Sequence, residues 1–222
     1  RGILRINHQL NGATFMKQTI LFQGDSITDC GRTGTGGAGF NDNGIGAGYP
    51  AMIRSRVMCD HPETEWNFIN RGISGNRIVD LYARWRVDCL NLKPDVLSIL
   101  IGVNDTWHEE NQNGVDVPRY ARFYRELMGW TQEALPCVKI ILLEPFLCAH
   151  DERITRMESE VLERAQVTRE VAAEYGATFI PLQTIFNEAF KRAPRAYWSA
   201  DGVHPSPAGH QLMADAWLKA FH

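Results

Sequence analysis

Short apolar runs alternating with stretches of helical spacing constrain this 222-residue chain more than any other feature. The runs are Thr19–Gln23, Trp66–Asn70, Val96–Ile101, Val138–Leu143 and Ala177–Ile180. Between and after them lie Tyr49–Cys59, Arg77–Leu90, Pro118–Leu135, the charged Asp151–Tyr175 and Pro207–Ala220, where Ser206 can cap the last helix and Pro207 suits its first position. Runs of continuous apolar character belong to strands buried on both faces, as in parallel sheets. Strand–helix alternation then gives an α/β fold, a three-layer α/β/α sandwich around a parallel, flavodoxin-like sheet.

With 44% hydrophobic residues the chain can fill one sizeable core. Residues 1–15 contain no apolar stretch leading to a small-residue cleavage site. They read as a vector-derived remnant or N-terminal extension ahead of a natural start at Met16, leaving one domain over 16–222. The charge balance of 23 basic and 26 acidic residues, net −3, points to neither nucleic acid nor an anionic membrane surface. The longest apolar run falls far short of the roughly 20 residues of a membrane span. Five cysteines without a C-x-x-C pair read as reduced, buried, small apolar residues of a cytoplasmic protein. The glycine-rich stretch Gly34–Gly48 is expected to be loop. Its G-x-G-x-x-G letters (Gly34–Gly39) neither directly follow a strand nor open a helix, so they do not read as a dinucleotide site.

Open α/β sheets bind ligands beyond the carboxyl ends of their strands. Three of the runs lead there into unusual residues: Gly24-Asp25-Ser26-Ile27-Thr28-Asp29, Arg71-Gly72-Ile73-Ser74-Gly75-Asn76 and Gly102-Val103-Asn104-Asp105. A fourth group, Asp201-Gly202-Val203-His204-Pro205, precedes the last helix. Ser26 would sit at a helix start, where free N–H groups can face a developing anion, but its hydroxyl needs a base. Asp201 and His204, three apart on a loop pinned by glycine and proline, can supply that base in the manner of a Ser-His-Asp triad. The Ser26 and Gly75 N–H groups and the Asn104 amide are candidate oxyanion donors. Singly, each group has a bland alternative: a helix cap, a surface turn, a left-handed glycine, an Asx turn. Their order and placement together favour acyl transfer.

These four blocks resemble the SGNH (GDSL) hydrolase superfamily, whose serine, glycine, asparagine and histidine match Ser26, Gly75, Asn104 and His204, from about Met16 to the C-terminus. More narrowly, Gly24–Arg32, Gly72–Asn76 and Ala83-Arg84-Trp85 resemble bacterial intracellular acetylxylan esterases. That resemblance implies deacetylation of xylo-oligosaccharides and a homo-oligomer; the triad chemistry itself calls for no metal or organic cofactor. Trp198, Trp107 and Tyr197 flank the blocks and are candidates for a sugar platform, with a half-buried packing role for the tryptophans equally open.

Of seven histidines only His204 sits in a motif, so no metal is expected, and His108 and His210 read as surface or packing residues. Rival readings are a broad-specificity GDSL esterase or lipase on non-sugar esters and a non-catalytic carbohydrate-binding protein. A third is a glycosidase with a carboxylate pair drawn from Asp25, Asp29, Asp105 and Glu144.

Overall fold

A computed structural model of the chain describes residues 6–10, 13–33 and 43–221. In chain order the elements are β1 (Ile6–Leu10), β2 (Ala13–Gly24), α1 (Ser26–Asp29), α2 (Tyr49–Asp60), β3 (Thr64–Asn70), α3 (Ile78–Asp88), β4 (Val96–Leu100) and α4 (Val103–Trp107). There follow α5 (Val117–Ala134), β5 (Lys139–Leu143), α6 (Glu152–Thr155), α7 (Glu158–Glu174), β6 (Thr178–Ile180), α8 (Leu182–Ala189), α9 (Arg195–Trp198) and α10 (Pro207–Phe221).

Five strands form a parallel sheet in the order β3-β2-β4-β5-β6. This is the flavodoxin-like order expected from the alternation of runs. The chain turns from β2 to β3 on one side and then returns to β4 on the other. The β2/β4 pair is thus the switch point, beyond whose strand ends open α/β sheets place their ligands. Ser26 follows β2 and Asn104 follows β4, so both stand at that switch point.

Side chains of successive strand residues point to opposite faces. Ile20, Phe22, Val96, Leu100, Ile141 and Leu143 pack on one side with residues of α2, α8 and α10. Leu21, Leu97, Ile99, Ile140 and Leu142 pack on the other with residues of α3, α5 and α7. A polar link crosses the first layer, where Trp217 Nε1 donates to Ser98 Oγ at 3.0 Å.

Four features differ from the sequence expectation. Residues Ile6–Leu10, for which the sequence offers no fold, form a strand antiparallel to the start of β2. The charged segment 151–175 is two helices, because a tight turn at Arg156-Met157 lets Ile154 of α6 dive into the core. Leu182–Ala189 is a helix whose Leu182, Phe186 and Ala189 face inward. The five cysteines are all unpaired, but only Cys89 and Cys148 are buried; Cys59 and Cys137 are exposed at the end of α2 and in the turn before β5. The Gly34–Gly39 motif lies outside the described residues. Its neighbours Asn43–Ile45 form a short 3-10 turn. No helix among the described residues is long and apolar enough to cross a membrane.

Candidate active site

The exit of β2 is sterically narrow. A side chain at Gly24 would collide with the Thr28 hydroxyl and the Leu100 carbonyl, so only glycine allows α1 and β4 to close on this strand end. Buried Asp25 caps α1, its Oδ1 accepting from Ile27 N at 3.0 Å. The chain therefore turns at once and presents Ser26 as the first helical residue. Its N–H has no carbonyl one turn behind it.

The hydroxyl meets an imidazole from near the other end of the sequence. Ser26 Oγ and His204 Nε2, 178 positions apart, are 2.8 Å apart. On the other side of the ring, His204 Nδ1 lies 2.6 Å from Asp201 Oδ2. Asp201 Oδ1 accepts from the backbone N–H groups of Val203 (2.9 Å) and His204 (2.7 Å) and from Ser199 Oγ (3.2 Å). Burial pushes the Asp201 carboxyl up, but the bonds from the His204 ring, Val203 N–H and His204 N–H outweigh it and hold the group down to about 2. A carboxylate fixed at Nδ1 keeps the proton there. Nε2 is left as the acceptor for a serine proton. Cys148 N donates to Gly202 O at 2.8 Å and ties the loop to the buried segment after β5.

The second block is stitched to the first, and the third to the second. Ile73 N donates to Gly24 O at 3.1 Å, and Asn70 Nδ2 donates to Thr28 O at 2.7 Å. Gly75 stands at φ +83°, a left-handed conformation that favours glycine. Asn104, at the start of α4, donates from Nδ2 to Asn76 O at 3.2 Å. An amide nitrogen carries two hydrogens, so this bond sets the side-chain orientation and leaves a second donor.

Of the aromatic candidates, Trp198 is only 4% exposed, packed in the core with Nε1 donating to Ala193 O at 3.3 Å. Its ring has almost no face to offer a sugar, because α9 presses it inward beneath α10. Tyr197 is 59% exposed and meets Trp198 edge-on at 5.1 Å. Trp107 is half-buried, with the Arg153 guanidinium 4.4 Å over its ring.

The carboxylates of the glycosidase reading are engaged in structure. Asp25 caps α1, Asp29 accepts from Ser74, Asp105 accepts from Ile78 N at 3.1 Å and Glu144 accepts from Gln183 N at 2.9 Å. His210 is buried against Tyr49, whose N–H donates to its Nδ1 at 3.2 Å; burial and then the nearby His204 lower it to about 4. His108, read from sequence as a surface or packing residue, bonds instead to the Gly75 carbonyl at 3.0 Å. No local signal could reveal this, because its partner is a backbone atom of another block.

The chain matches the GDSL-like lipase/acylhydrolase family over residues 22–212. It is 37% identical over 208 residues to an acetylxylan esterase from Geobacillus stearothermophilus, covering 91% of this chain and 93% of that protein. The crystal structure of that acetylxylan esterase superposes with a TM-score of 0.82 at 36% identity, over 91% of this chain and 93% of its own. Catalytic mutants of the same enzyme include a serine-to-alanine and an aspartate-to-alanine exchange. A GDSL-like lipase structure from Parabacteroides merdae superposes with a TM-score of 0.85 at 40% identity, over 91% of this chain and 94% of its own. This chain belongs to the GDSL-like lipase/acylhydrolase family and is a carboxylic ester hydrolase.

Proposed function

We propose that the protein removes short acyl groups, acetyl above all, from esters of xylo-oligosaccharides or related sugars through an acyl-serine intermediate. The observation that carries this reading is the continuous hydrogen-bonded line from Ser26 Oγ through His204 to Asp201, with separations of 2.8 and 2.6 Å. His204 Nε2 takes the Ser26 proton as Oγ attacks the ester carbonyl carbon. The carbonyl π electrons move to oxygen, and the anion is held by the N–H groups of Ser26 and Gly75 and the free N–H of Asn104. Collapse expels the sugar hydroxyl, which receives the proton from His204. Water then attacks the acyl-serine with the same base, releasing the acid and restoring Ser26. Asp201 holds the imidazole tautomer and offsets the charge of the imidazolium. No step requires a metal or an organic cofactor.

The sugar substrate is supported by the 37% identity to an acetylxylan esterase, also described as an acetyl-xylooligosaccharide esterase. In this reading exposed Tyr197 is the aromatic face available to a sugar ring, and half-buried Trp107 beside the Asn104 block offers only what the Arg153 guanidinium leaves uncovered. The test is Ser26→Ala assayed on p-nitrophenyl acetate and on acetylated xylo-oligosaccharides, beside a parent panel that includes other acetyl sugars and longer acyl esters. Loss of turnover on every ester, with the parent favouring acetylated xylo-oligosaccharides, is expected. Parent-like turnover by the variant would overturn the serine mechanism, and a parent preference for long acyl chains would overturn the substrate.

A further inference from the structure

The Asn104 block and the Gly75 block are joined by two hydrogen bonds that form a pattern. Asn104 and His108 are four residues apart on the helical course of α4 and the 3-10 turn His108–Asn111 that continues it. Side chains so spaced lie on one face, one above the other. Asn104 Nδ2 donates to Asn76 O at 3.2 Å, and His108 Nε2 reaches Gly75 O at 3.0 Å. A carbonyl can only accept, so the imidazole carries its proton on Nε2. One short helix thus holds two consecutive carbonyls of the glycine loop.

The loop is fixed on its other side as well. Both the N–H and the hydroxyl of Ser74 donate to Asp29 Oδ2, and Asn76 N–H donates to Ile73 O at 3.1 Å. Gly75 is the pivot between these anchored peptides, and with no side chain it resists rotation poorly. If the Gly75 carbonyl were released, the 75–76 peptide would keep only its Asn76 N–H bond, and the adjoining 74–75 peptide, which carries the Gly75 N–H, could turn about the glycine and lose its aim. The His108 backbone is itself held, its N–H donating to Asn104 O and its carbonyl accepting from Asn113 N at 3.0 Å.

We propose that His108 is a positioning residue for the oxyanion hole: its Nε2–H, bound to the Gly75 carbonyl, holds the Gly75 N–H toward the substrate carbonyl oxygen. This rests on the serine-esterase reading and adds a residue that acts on the transition state through Gly75. A device of this kind stabilises the transition state and leaves ground-state binding alone, so its loss lowers kcat and kcat/KM together and leaves KM in place.

The experiment compares His108→Ala, His108→Gln and Ser26→Ala with the parent on p-nitrophenyl acetate, with thermal unfolding of each to confirm folding. Removing an oxyanion donor outright costs on the order of 10²–10³ in kcat; a donor present but unaimed should cost roughly 10- to 100-fold on the same scale. His108→Ala is therefore expected to lose that factor in kcat with KM within about twofold, because the lost interaction is one of the transition state. His108→Gln, whose amide can reach the same carbonyl, should recover most of it. Unchanged kcat in His108→Ala overturns the proposal. So does a loss carried mainly by KM, or a His108→Gln variant as slow as the alanine. The Ser26→Ala arm reports separately on the esterase reading: if that variant turns over like the parent, the mechanism falls first, whereas a dead Ser26 variant beside a parent-like His108→Ala removes only the role of His108.

Discussion

Asp29 Oδ2 accepts two hydrogen bonds from Ser74, from its N–H at 3.1 Å and its hydroxyl at 3.0 Å. The last residue of α1, the helix opened by Ser26, is thereby fastened to the residue preceding Gly75. An Asp29→Ala variant loses both bonds at once. It is expected to lower kcat on p-nitrophenyl acetate by roughly tenfold with KM little changed, since a displaced donor is missed chiefly in the transition state. A change confined to KM would show that Asp29 contacts substrate.

Asp201→Asn tests the tautomer. An amide keeping its oxygen toward the backbone N–H groups of Val203 and His204 turns its NH₂ toward His204 Nδ1, which must then accept. The ring proton moves to Nε2, where it blocks uptake of the Ser26 proton. A fall in kcat on the order of 10³–10⁴ is expected, as for triads disturbed in this way. A loss below tenfold would remove Asp201 from the mechanism.

The tightness of the β2 exit predicts a folding defect. Gly24→Ala forces a methyl group against the Thr28 hydroxyl and the Leu100 carbonyl, the latter being backbone and unable to swing aside. Overpacking of this kind costs about 1–3 kcal/mol or more. Urea unfolding should register the loss, and an unchanged midpoint would mean that α1 can shift away from β4.

Two buried carboxyl groups predict how stability depends on pH. Burial raises Asp105 from 3.8 to about 7, against the pull of Ile78 N–H and Arg164 and with added repulsion from Asp25. Burial raises Asp25 likewise to about 7, against its bond from Ile27 N–H and the charge of His204. In the unfolded chain both ionise near 3.8, so from there to about 7 the folded state retains protons that the unfolded state has released. Their contribution to stability is full below the lower value and is lost as pH rises to the upper one. Asp105→Asn removes one of these protons, so its unfolding free energy should fall less steeply than the parent's across that window. Parallel curves would refute the protonated state of Asp105.

Adjacent aromatic residues should separate packing from recognition. Trp198→Ala empties a core site and is expected to cost about 3–5 kcal/mol of stability. Tyr197→Ala, at an exposed position, should leave stability within about 0.5 kcal/mol while weakening turnover of acetyl-xylo-oligosaccharides more than that of p-nitrophenyl acetate. Equal losses on both esters would remove Tyr197 from sugar binding.

The strands were legible because double burial leaves nearly unbroken apolar runs such as Val96–Ile101, and their alternation with helices pointed to a parallel sheet between helical layers. The candidate residues Ser26, Gly75, Asn104, Asp201 and His204 drew notice because each sits in a short block just beyond a strand or before α10, and the fold brings Ser26, His204 and Asp201 into one hydrogen-bonded line. What escaped depends on contacts distant in sequence. The break between α6 and α7 arises where Ile154 docks into the core. The burial of Trp198 comes from α9, a single turn with no periodicity to read. The bond of His108 ends on a backbone oxygen 33 positions away, which no side-chain pattern encodes.

On the proposed serine mechanism, the 178-residue separation of hydroxyl and imidazole would tie hydrolysis to completion of the fold. Ser26 lies early in the chain and His204 just before α10, so a nascent chain carries the hydroxyl long before the imidazole has been synthesised. Growing or C-terminally clipped chains would carry an unactivated alcohol and leave esters around them untouched. Turnover would then gauge how many molecules in a preparation have brought Ser26 and His204 together.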